Sequence, residues 1–425
     1  MLRRTLFSAA LGAALLASSA EAAEHVPGEV VVRYQDADGG LGRTEVVETG
    51  AGESVDDAIA ELREAPRVLS ATPNVIARTA LVPNDPGRGT SATGWQALQW
   101  NFAGPFGVNA PAAWDNVAAA GRPGGADVVV AVLDTGVAYA TRGRFLRSPD
   151  FETTEFVPGK DFVDRDRFPH DLNGHGTHVT STIAESVDNA VGVTGLAYGA
   201  RIMPVRVLNR NGEGDSASIS KGIRWATRHG ADVINLSFEF GETVRARQIP
   251  NILDALHYAT RRGALVVGAA GNEGVASVAY PARARNVLSV GATTEHGCLA
   301  EYSNTGVQLD ITAPGGGPDA DFADDPNCRP LEKPGRDIYQ MTFTRNVRTF
   351  GLPARYMGTS MAAPHVTATA ALVIASGVLG PDPTPAQVGR RLLGTARDLG
   401  LPGADNRYGA GLVDAAAATA AAPAV

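Results

Sequence analysis

Cysteine is scarce in this 425-residue chain, and basic charge is not in excess. With only two cysteines, the chain can form at most one internal disulfide. Lysine and arginine number 37 against 45 acidic residues, a formal net charge of −8, and no basic stripe suits nucleic acid. After the first 22 residues no apolar run approaches the roughly 20 residues that a membrane helix needs. We therefore predict neither a nucleic-acid partner nor a membrane span.

The two cysteines are Cys298 and Cys328, in a region rich in Gly and Pro. In an oxidising compartment an even number of cysteines favours a disulfide, and the alternative is two free thiols. We predict the disulfide.

Residues 1–22 have the pattern of a signal peptide. Arg3 and Arg4 precede an apolar segment from Leu6 to Ala17, and small residues around Ala20 provide a cleavage site. The apolar segment is too short to cross a bilayer. The pattern predicts a secreted or extracellular protein and leaves the periplasm open.

Residues 23–82 predict a small α+β domain that carries 11 acidic and 5 basic side chains. Alternation from Glu29 to Tyr34 indicates a strand, and Val55, Ile59 and Leu62 follow helical spacing. Residues 83–98 contain Pro, Gly, Ser and Thr and predict a linker. A small acidic domain between a signal peptide and a larger domain is a candidate inhibitory propeptide.

Residues 99–415 alternate apolar, Val- and Ile-rich runs with helical segments. Such runs are typical of parallel strands that are buried on both faces. The pattern predicts an α/β catalytic domain with a doubly wound, mainly parallel sheet and a site at the carboxyl ends of its strands. Residues 416–425 form an Ala-rich tail.

Three separate stretches supply the residue types that nucleophilic acyl transfer needs. Asp134 ends an apolar run, His175 stands in a Gly-flanked loop before a helix, and Ser360 precedes the apolar run Ala362–Ala375. A serine hydroxyl is a weak nucleophile, so an imidazole must take its proton and a carboxylate must orient that imidazole. Taken alone, Ser360 would more commonly serve as a helix N-cap.

The stretches VAVLDTGV, NGHGTHV and GTSMAAPHV, in this order, resemble the active-site motifs of the subtilisin-like serine proteases. The Asp–His–Ser order is that of subtilisin. The resemblance implies a serine endopeptidase in which Asp134 orients, His175 is the base and Ser360 attacks. It also implies that Asn272 and the Ser360 N–H donate to the oxyanion. The residue type alone also suits Asn272 to a Gly-flanked turn.

The same resemblance implies protein or peptide substrates, an interaction with the chain's own propeptide, a monomer, and no cofactor for catalysis. Maturation would remove residues up to a point between 80 and 98. Structural calcium is usual in the family. Asp150, Gln99 and the loop from Val187 to Val193 resemble one calcium site, and the spacing of Asp319, Asp321, Asp324 and Asp325 fits no EF-hand.

The residues that would hold the substrate are implied by the resemblance as well. The first edge contains Gly212 and Gly214, and the pocket wall contains Ala270 and Gly271. The second edge runs through Ser237, Phe238, Glu239 and Phe240, where the family commonly has Leu-Gly-Gly after the serine. Glu239 predicts a preference for basic residues and Phe240 a shortened pocket, unless both side chains point into solvent.

Three other functions fit parts of the sequence. Asp134-Thr135-Gly136 matches the aspartic protease triplet, but there is no second such triplet to supply the partner carboxylate. His175 and His178 stand at the spacing of two metal ligands without a recognisable third. A non-catalytic peptide-binding or chaperone-like protein on the same fold is the alternative from a different class, and the intact catalytic positions argue against it.

Overall fold

The computed structural model describes residues 25–36, 41–50, 52–75, 83–89, 94–328 and 333–421. The chain divides into two units, and the division falls between Thr79 and Ala80. The predicted signal peptide lies outside the described residues, as does the end of the tail.

The N-terminal unit is a three-stranded antiparallel sheet with one helix. The strand order is β2-β1-β3, with β1 at His25–Gln35, β2 at Leu41–Glu48 and β3 at Val68–Val75. Helix α1, Val55–Glu64, is capped by Ser54, whose side chain accepts a hydrogen bond from the Asp57 N–H. The buried apolar side chains of this unit are Val30, Val32, Ala58, Ile59 and Ala71. So small a core is marginal for a domain folding alone.

The larger unit is organised by a seven-stranded sheet in the order β10-β9-β8-β7-β4-β6-β5, and every pairing in it is parallel. The strands are β4 Val129–Asp134, β5 Lys160–Asp161, β6 Arg201–Arg206, β7 Val233–Leu236, β8 Leu265–Ala269, β9 Val287–Thr293 and β10 Ile311–Pro314. A short antiparallel hairpin follows, with β11 Thr342–Phe343 and β12 Phe350–Gly351.

Helices cover both faces of this sheet. They are α2 Gly94–Leu98, α3 Trp100–Ala103, α4 Ala110–Ala119, α5 His175–Ala184, α6 Ser216–Arg228, α7 Pro250–Arg261, α8 Thr359–Ser376, α9 Pro385–Gly394 and α10 Ala415–Thr419. One apolar core contains α4, α5 and α8, and a second contains α6 and α7. The predicted doubly wound parallel fold is therefore confirmed. Among the described residues, no helix is long and apolar enough to cross a bilayer.

The apolar run Ala362–Ala375 and the proline near its start predict a helix with Pro364 in its first turn. Helix α8 instead begins at Thr359, three residues before Ala362, and Pro364 lies one turn inside it, so that prediction was wrong. A proline in a helix interior leaves the carbonyl four residues before it without a backbone donor. Here that carbonyl belongs to Ser360, and the Ser237 hydroxyl donates to it at 2.9 Å. The side chain of Ser237 thus replaces the missing backbone bond and ties α8 to the end of β7.

Cys298 and Cys328 form the predicted disulfide, 30 residues apart. In the chain-entropy model a loop of this length contributes about 3–4 kcal/mol to the free energy of unfolding. We expect the Cys298→Ser/Cys328→Ser variant to unfold at correspondingly lower urea concentration. Intact mass before and after reduction and alkylation checks the bond, and two alkylated thiols in unreduced native protein would contradict it.

Candidate active site

The three residues of the Asp–His–Ser pattern lie at element ends in the larger unit. Asp134 is the last residue of the interior strand β4, His175 is the first of α5, and Ser360 is the second of α8. The order of strands along the chain reverses around β4, which is where open α/β sheets form a crevice outside their carboxyl ends.

Asp134 and His175 are joined directly. His175 Nδ1 lies 2.8 Å from Asp134 Oδ1 and 3.0 Å from Oδ2, and the carboxylate is fully buried. Burial disfavours a charge on His175, but the charge and hydrogen bond of Asp134, with the charge of Asp171, outweigh it and raise the pKa of His175. Because a carboxylate accepts at Nδ1, the proton of the neutral ring belongs on that nitrogen, and Nε2 is left as the base.

Asp171 fixes the loop that leads into α5, and the sequence analysis missed it. Its carboxylate accepts five hydrogen bonds, from Thr135 Oγ1, Asn173 N, Gly174 N, Thr177 N and Thr177 Oγ1. These bonds connect the turn after Asp134 to the first turn of α5 and so set the distance between Asp134 and His175. An aspartate four residues before the start of a Gly-flanked helix was the available signal, because its side chain commonly bonds nearby backbone N–H groups.

Ser360 Oγ donates to the backbone carbonyl of Ser237 at 3.0 Å, rather than to His175. A hydroxyl rotates readily, and catalytic hydrogen bonds often shorten only once substrate is bound. The Ser360 N–H is among the first four of α8, which have no acceptor within a helix. The start of α8 thus presents a hydroxyl together with backbone donors suited to negative charge.

Asn272 follows β8 and lies beside the start of α8. Its Oδ1 accepts hydrogen bonds from Thr359 N at 2.7 Å and from Thr359 Oγ1 at 3.1 Å. These bonds fix the amide orientation, so that Nδ2 is the donor end. Asn272 Nδ2 lies 3.1 Å from Glu239 Oε1.

The model of the subtilase family matches residues 125–411, which include Asp134, His175, Asn272 and Ser360. The chain belongs to the subtilase family. It is a serine-type endopeptidase of that family, as its motifs predicted.

Relatives and solved structures agree with this membership. A thermophilic serine proteinase of Bacillus sp. strain AK1 is 36% identical over 324 residues, covering 76% of this chain and 67% of its own. Subtilisin Savinase of Lederbergia lenta is 36% identical over 327 residues, 76% of this chain and 99% of its own. A protease structure from Pseudoalteromonas arctica superposes with a TM-score of 0.63 at 30% identity, over 80% of this chain and 99% of the other.

The predicted first substrate edge of this subtilase lies near His175. Asn173 Nδ2 donates to the Arg210 carbonyl at 3.0 Å, which places the turn containing Gly212 beside the loop before α5. A side chain on Gly214 would overlap the Val207 carbonyl at 2.6 Å, so this loop follows the end of β6 closely. This segment therefore lies beside the loop that leads into His175.

The aromatic rings of the second edge, Phe238 and Phe240, point into the apolar core, whereas the sequence analysis expected Phe240 to shorten the substrate pocket. Phe238 is buried in the core under α6 and α7, and Phe240 packs against the same core while its N–H bonds to the Tyr280 carbonyl at 2.7 Å. Glu239, between them, points to the opposite side and reaches Gly271 and Asn272. Alternation along an extended segment explains why neighbouring side chains point to opposite sides.

The two other histidines of the motifs have structural partners. His178 Nε2 lies 3.0 Å from the Ile338 carbonyl, and its ring stacks on Tyr356. His365 Nε2 lies 2.8 Å from Asn101 Nδ2. In the part of the chain that the structure describes, no group of three or more His, Cys, Asp or Glu side chains is arranged to hold a metal.

The residues expected around calcium do not all have the same surroundings. Asp150 is fully buried near the loop Val187–Val193, and so is Asp85, which the sequence analysis did not name; Asn189 donates to both carboxylates. Gln99 binds Thr194 instead. Burial raises the pKa of Asp85 to about 6 and that of Asp150 to about 8. An ionised Asp150 is therefore unfavourable at neutral pH unless a cation compensates its charge.

The acidic run after Cys298 does not converge on one point. Asp319 binds His296, Asp324 binds Arg407, and Asp325 accepts from Tyr408. Each of these three carboxylates therefore stabilises a different contact.

Proposed function

We propose that this chain is a secreted serine endopeptidase, made as a preproenzyme, that cleaves proteins through an Asp134–His175–Ser360 triad. The contact that carries the proposal is the hydrogen-bonded pair of buried Asp134 and His175 Nδ1 at 2.8 Å, at the crevice where α8 presents Ser360. Secretion is supported by the pattern of residues 1–22 and by the disulfide, which persists in oxidising compartments.

In this mechanism His175 Nε2 takes the proton of Ser360 as the hydroxyl attacks the substrate carbonyl. Asp134 holds the imidazole in the required tautomer and stabilises the imidazolium. The oxyanion receives hydrogen bonds from Asn272 Nδ2 and the Ser360 N–H, and the acyl-enzyme is then hydrolysed by water. Because the base must be neutral, hydrolysis increases as pH rises through the raised pKa of His175.

The test is reaction of the full chain with a fluorophosphonate probe, followed by mass spectrometry of the labelled peptide. The proposal expects one adduct, on Ser360, together with hydrolysis of casein. A protein that binds peptides but is neither labelled nor hydrolytic would be the non-catalytic alternative.

We further propose that residues 23–82 are an inhibitory propeptide that the enzyme removes itself. The support is the separate α+β unit with its small core, which precedes a Pro- and Gly-rich segment. We expect this unit to remain covalently attached in Ser360→Ala protein and to be absent from mature wild-type protein, as N-terminal sequencing would show. The same mature N-terminus in both would mean that another protease cuts.

Calcium bound at Asp85 and Asp150 is proposed as a structural ion. Two buried carboxylates close together repel each other, and a bound cation relieves that repulsion. We expect EGTA to lower the melting temperature of Ser360→Ala protein, used to prevent autolysis, and calcium to restore it. In the Asp150→Asn variant EGTA should have little effect. A melting temperature that EGTA does not change in Ser360→Ala protein with Asp150 intact would contradict the site.

A further inference from the structure

Glu239 holds the backbone and the side chain of Asn272 at once. Glu239 Oε2 accepts a hydrogen bond from Asn272 N, and Oε1 accepts one from Asn272 Nδ2, both at 3.1 Å. Thr359 binds the other end of the same amide. One of the two Nδ2 hydrogens of Asn272 is therefore bonded to a carboxylate in the substrate-free enzyme.

Glycine at 271 is what lets this carboxylate come so close. Gly271 has φ of +113°, and a Cβ there would lie 2.5 Å from Glu239 Oε2 and 2.1 Å from Asn304 Nδ2. The flanking segment is fixed by the bond from Phe240 N–H to the Tyr280 carbonyl. The position of Glu239 thus follows from the backbone bond of Phe240 and from the lack of a side chain at Gly271.

The charged group that faces Glu239 is Glu273. Burial, the charge of Glu273 and a hydrogen bond with it raise the pKa of Glu239 to about 7, although the bonds from Asn272 oppose the change. Glu273 is itself held by Asn304 Nδ2 at 2.6 Å. Glu239 therefore changes charge in the neutral pH range, beside the amide that would receive the oxyanion.

An ionised Glu239 works against the proposed chemistry. The reacting carbonyl oxygen and Glu239 Oε1 would each lie about 3 Å from Asn272 Nδ2, so they would be no more than about 6 Å apart. Negative charge at that distance disfavours a developing oxyanion, and we estimate about a tenfold slower reaction. A substrate that neutralises or removes this charge escapes the penalty.

We propose that Glu239 is a specificity-determining residue that acts through Asn272 and selects lysine or arginine directly before the scissile bond. With a neutral residue there, the carboxylate stays on Asn272 and slows the reaction. With a cationic residue, the carboxylate leaves Asn272 and pairs with the substrate. The attacked carbonyl belongs to the residue directly before the scissile bond. A lysine side chain there, which reaches about 6 Å from its Cα, can span the distance of no more than about 6 Å between that carbonyl oxygen and Glu239 Oε1. This proposal rests on the proposed role of Asn272 in the oxyanion site.

The experiment compares two tetrapeptide p-nitroanilides that differ only in having lysine or norleucine before the scissile bond. Because both use the same base, the ratio of their rates cancels the titration of His175. In wild-type enzyme we expect the lysine-to-norleucine ratio of kcat to rise about tenfold between pH 6 and pH 9. In Glu239→Gln enzyme the ratio should be independent of pH, and norleucine should react faster at pH 9 than in wild type.

Glu242→Gln, which changes an exposed glutamate of the same segment, is the matched control and should retain the wild-type profile. A ratio that does not vary with pH, or that survives in Glu239→Gln, overturns the proposal. So does a preference for lysine confined to KM, because an oxyanion effect exists only in the transition state and must appear in kcat. A wild-type enzyme that cleaves either substrate retains the proposed function whatever the ratio.

Discussion

Replacing Ser360 by alanine is expected to abolish both casein hydrolysis and fluorophosphonate labelling while the protein still folds. The side chain points into the crevice at the start of α8, and its Oγ makes one hydrogen bond, to Ser237 O. Removing it costs little packing but removes the nucleophile. The loss measured for subtilisin, about 10⁶-fold in kcat, sets the expected scale.

His175→Ala should cost about as much, and the double variant little more, because the members of a triad act as one unit. His178→Ala is the informative control among the nearby histidines. Its ring stacks on Tyr356 and bonds the Ile338 carbonyl, so its loss should lower stability and leave labelling at Ser360 intact. Labelling that persists in Ser360→Ala protein would remove the assignment of the nucleophile.

Elements that carry a periodic apolar pattern could be predicted from the sequence. The apolar pattern predicts helices over residues 175–184 and 216–228, which are the bounds of α5 and α6. It predicts a strand over residues 128–133, and β4 is shifted from this by one residue at each end. The start of α8 was harder, because a proline normally indicates the first helical turn. Ser237 lies 123 residues before Ser360 in the chain, and its hydroxyl bonds the Ser360 carbonyl that Pro364 leaves without a donor. This bond allows Pro364 to lie beyond the first helical turn. No local pattern could show that contact.

The active-site residues likewise divide into those that a local sequence pattern reveals and those that only tertiary contacts reveal. Asp134, His175 and Ser360 stand in recognisable motifs, but the residues that orient them do so through tertiary contacts. Glu239 was noticed as a departure at the substrate edge, yet its sequence position did not show that it binds Asn272. Arg206 went unnoticed, because an arginine at the end of an apolar strand has no distinctive pattern. Side-chain direction across neighbouring elements decides these roles.

Replacing Arg206 by methionine is expected to destabilise the larger unit by about 3–5 kcal/mol. Arg206 ends β6, is 4% exposed, and pairs through Nη1 with buried Asp161 at 2.8 Å and with Asp164 at 2.6 Å. Methionine would leave the Asp161 charge buried without a cation, and that uncompensated charge is the main cost. Arg206 also lies opposite Asp134 in the parallel register of β4 and β6, so the substituted position adjoins the active site.

Arg201 offers a matched control at the other end of the same strand. Its partner Glu155 is 62% exposed and Arg201 is 37% exposed, so Arg201→Met should change stability by less than about 1 kcal/mol. Urea unfolding of both variants in Ser360→Ala protein, which cannot digest itself, measures the difference. Equal midpoints for the two variants would mean that the buried pair contributes no more than an exposed one. A large loss for Arg206→Met that Asp161→Asn in the same chain largely reverses would identify the unpaired carboxylate as the cause.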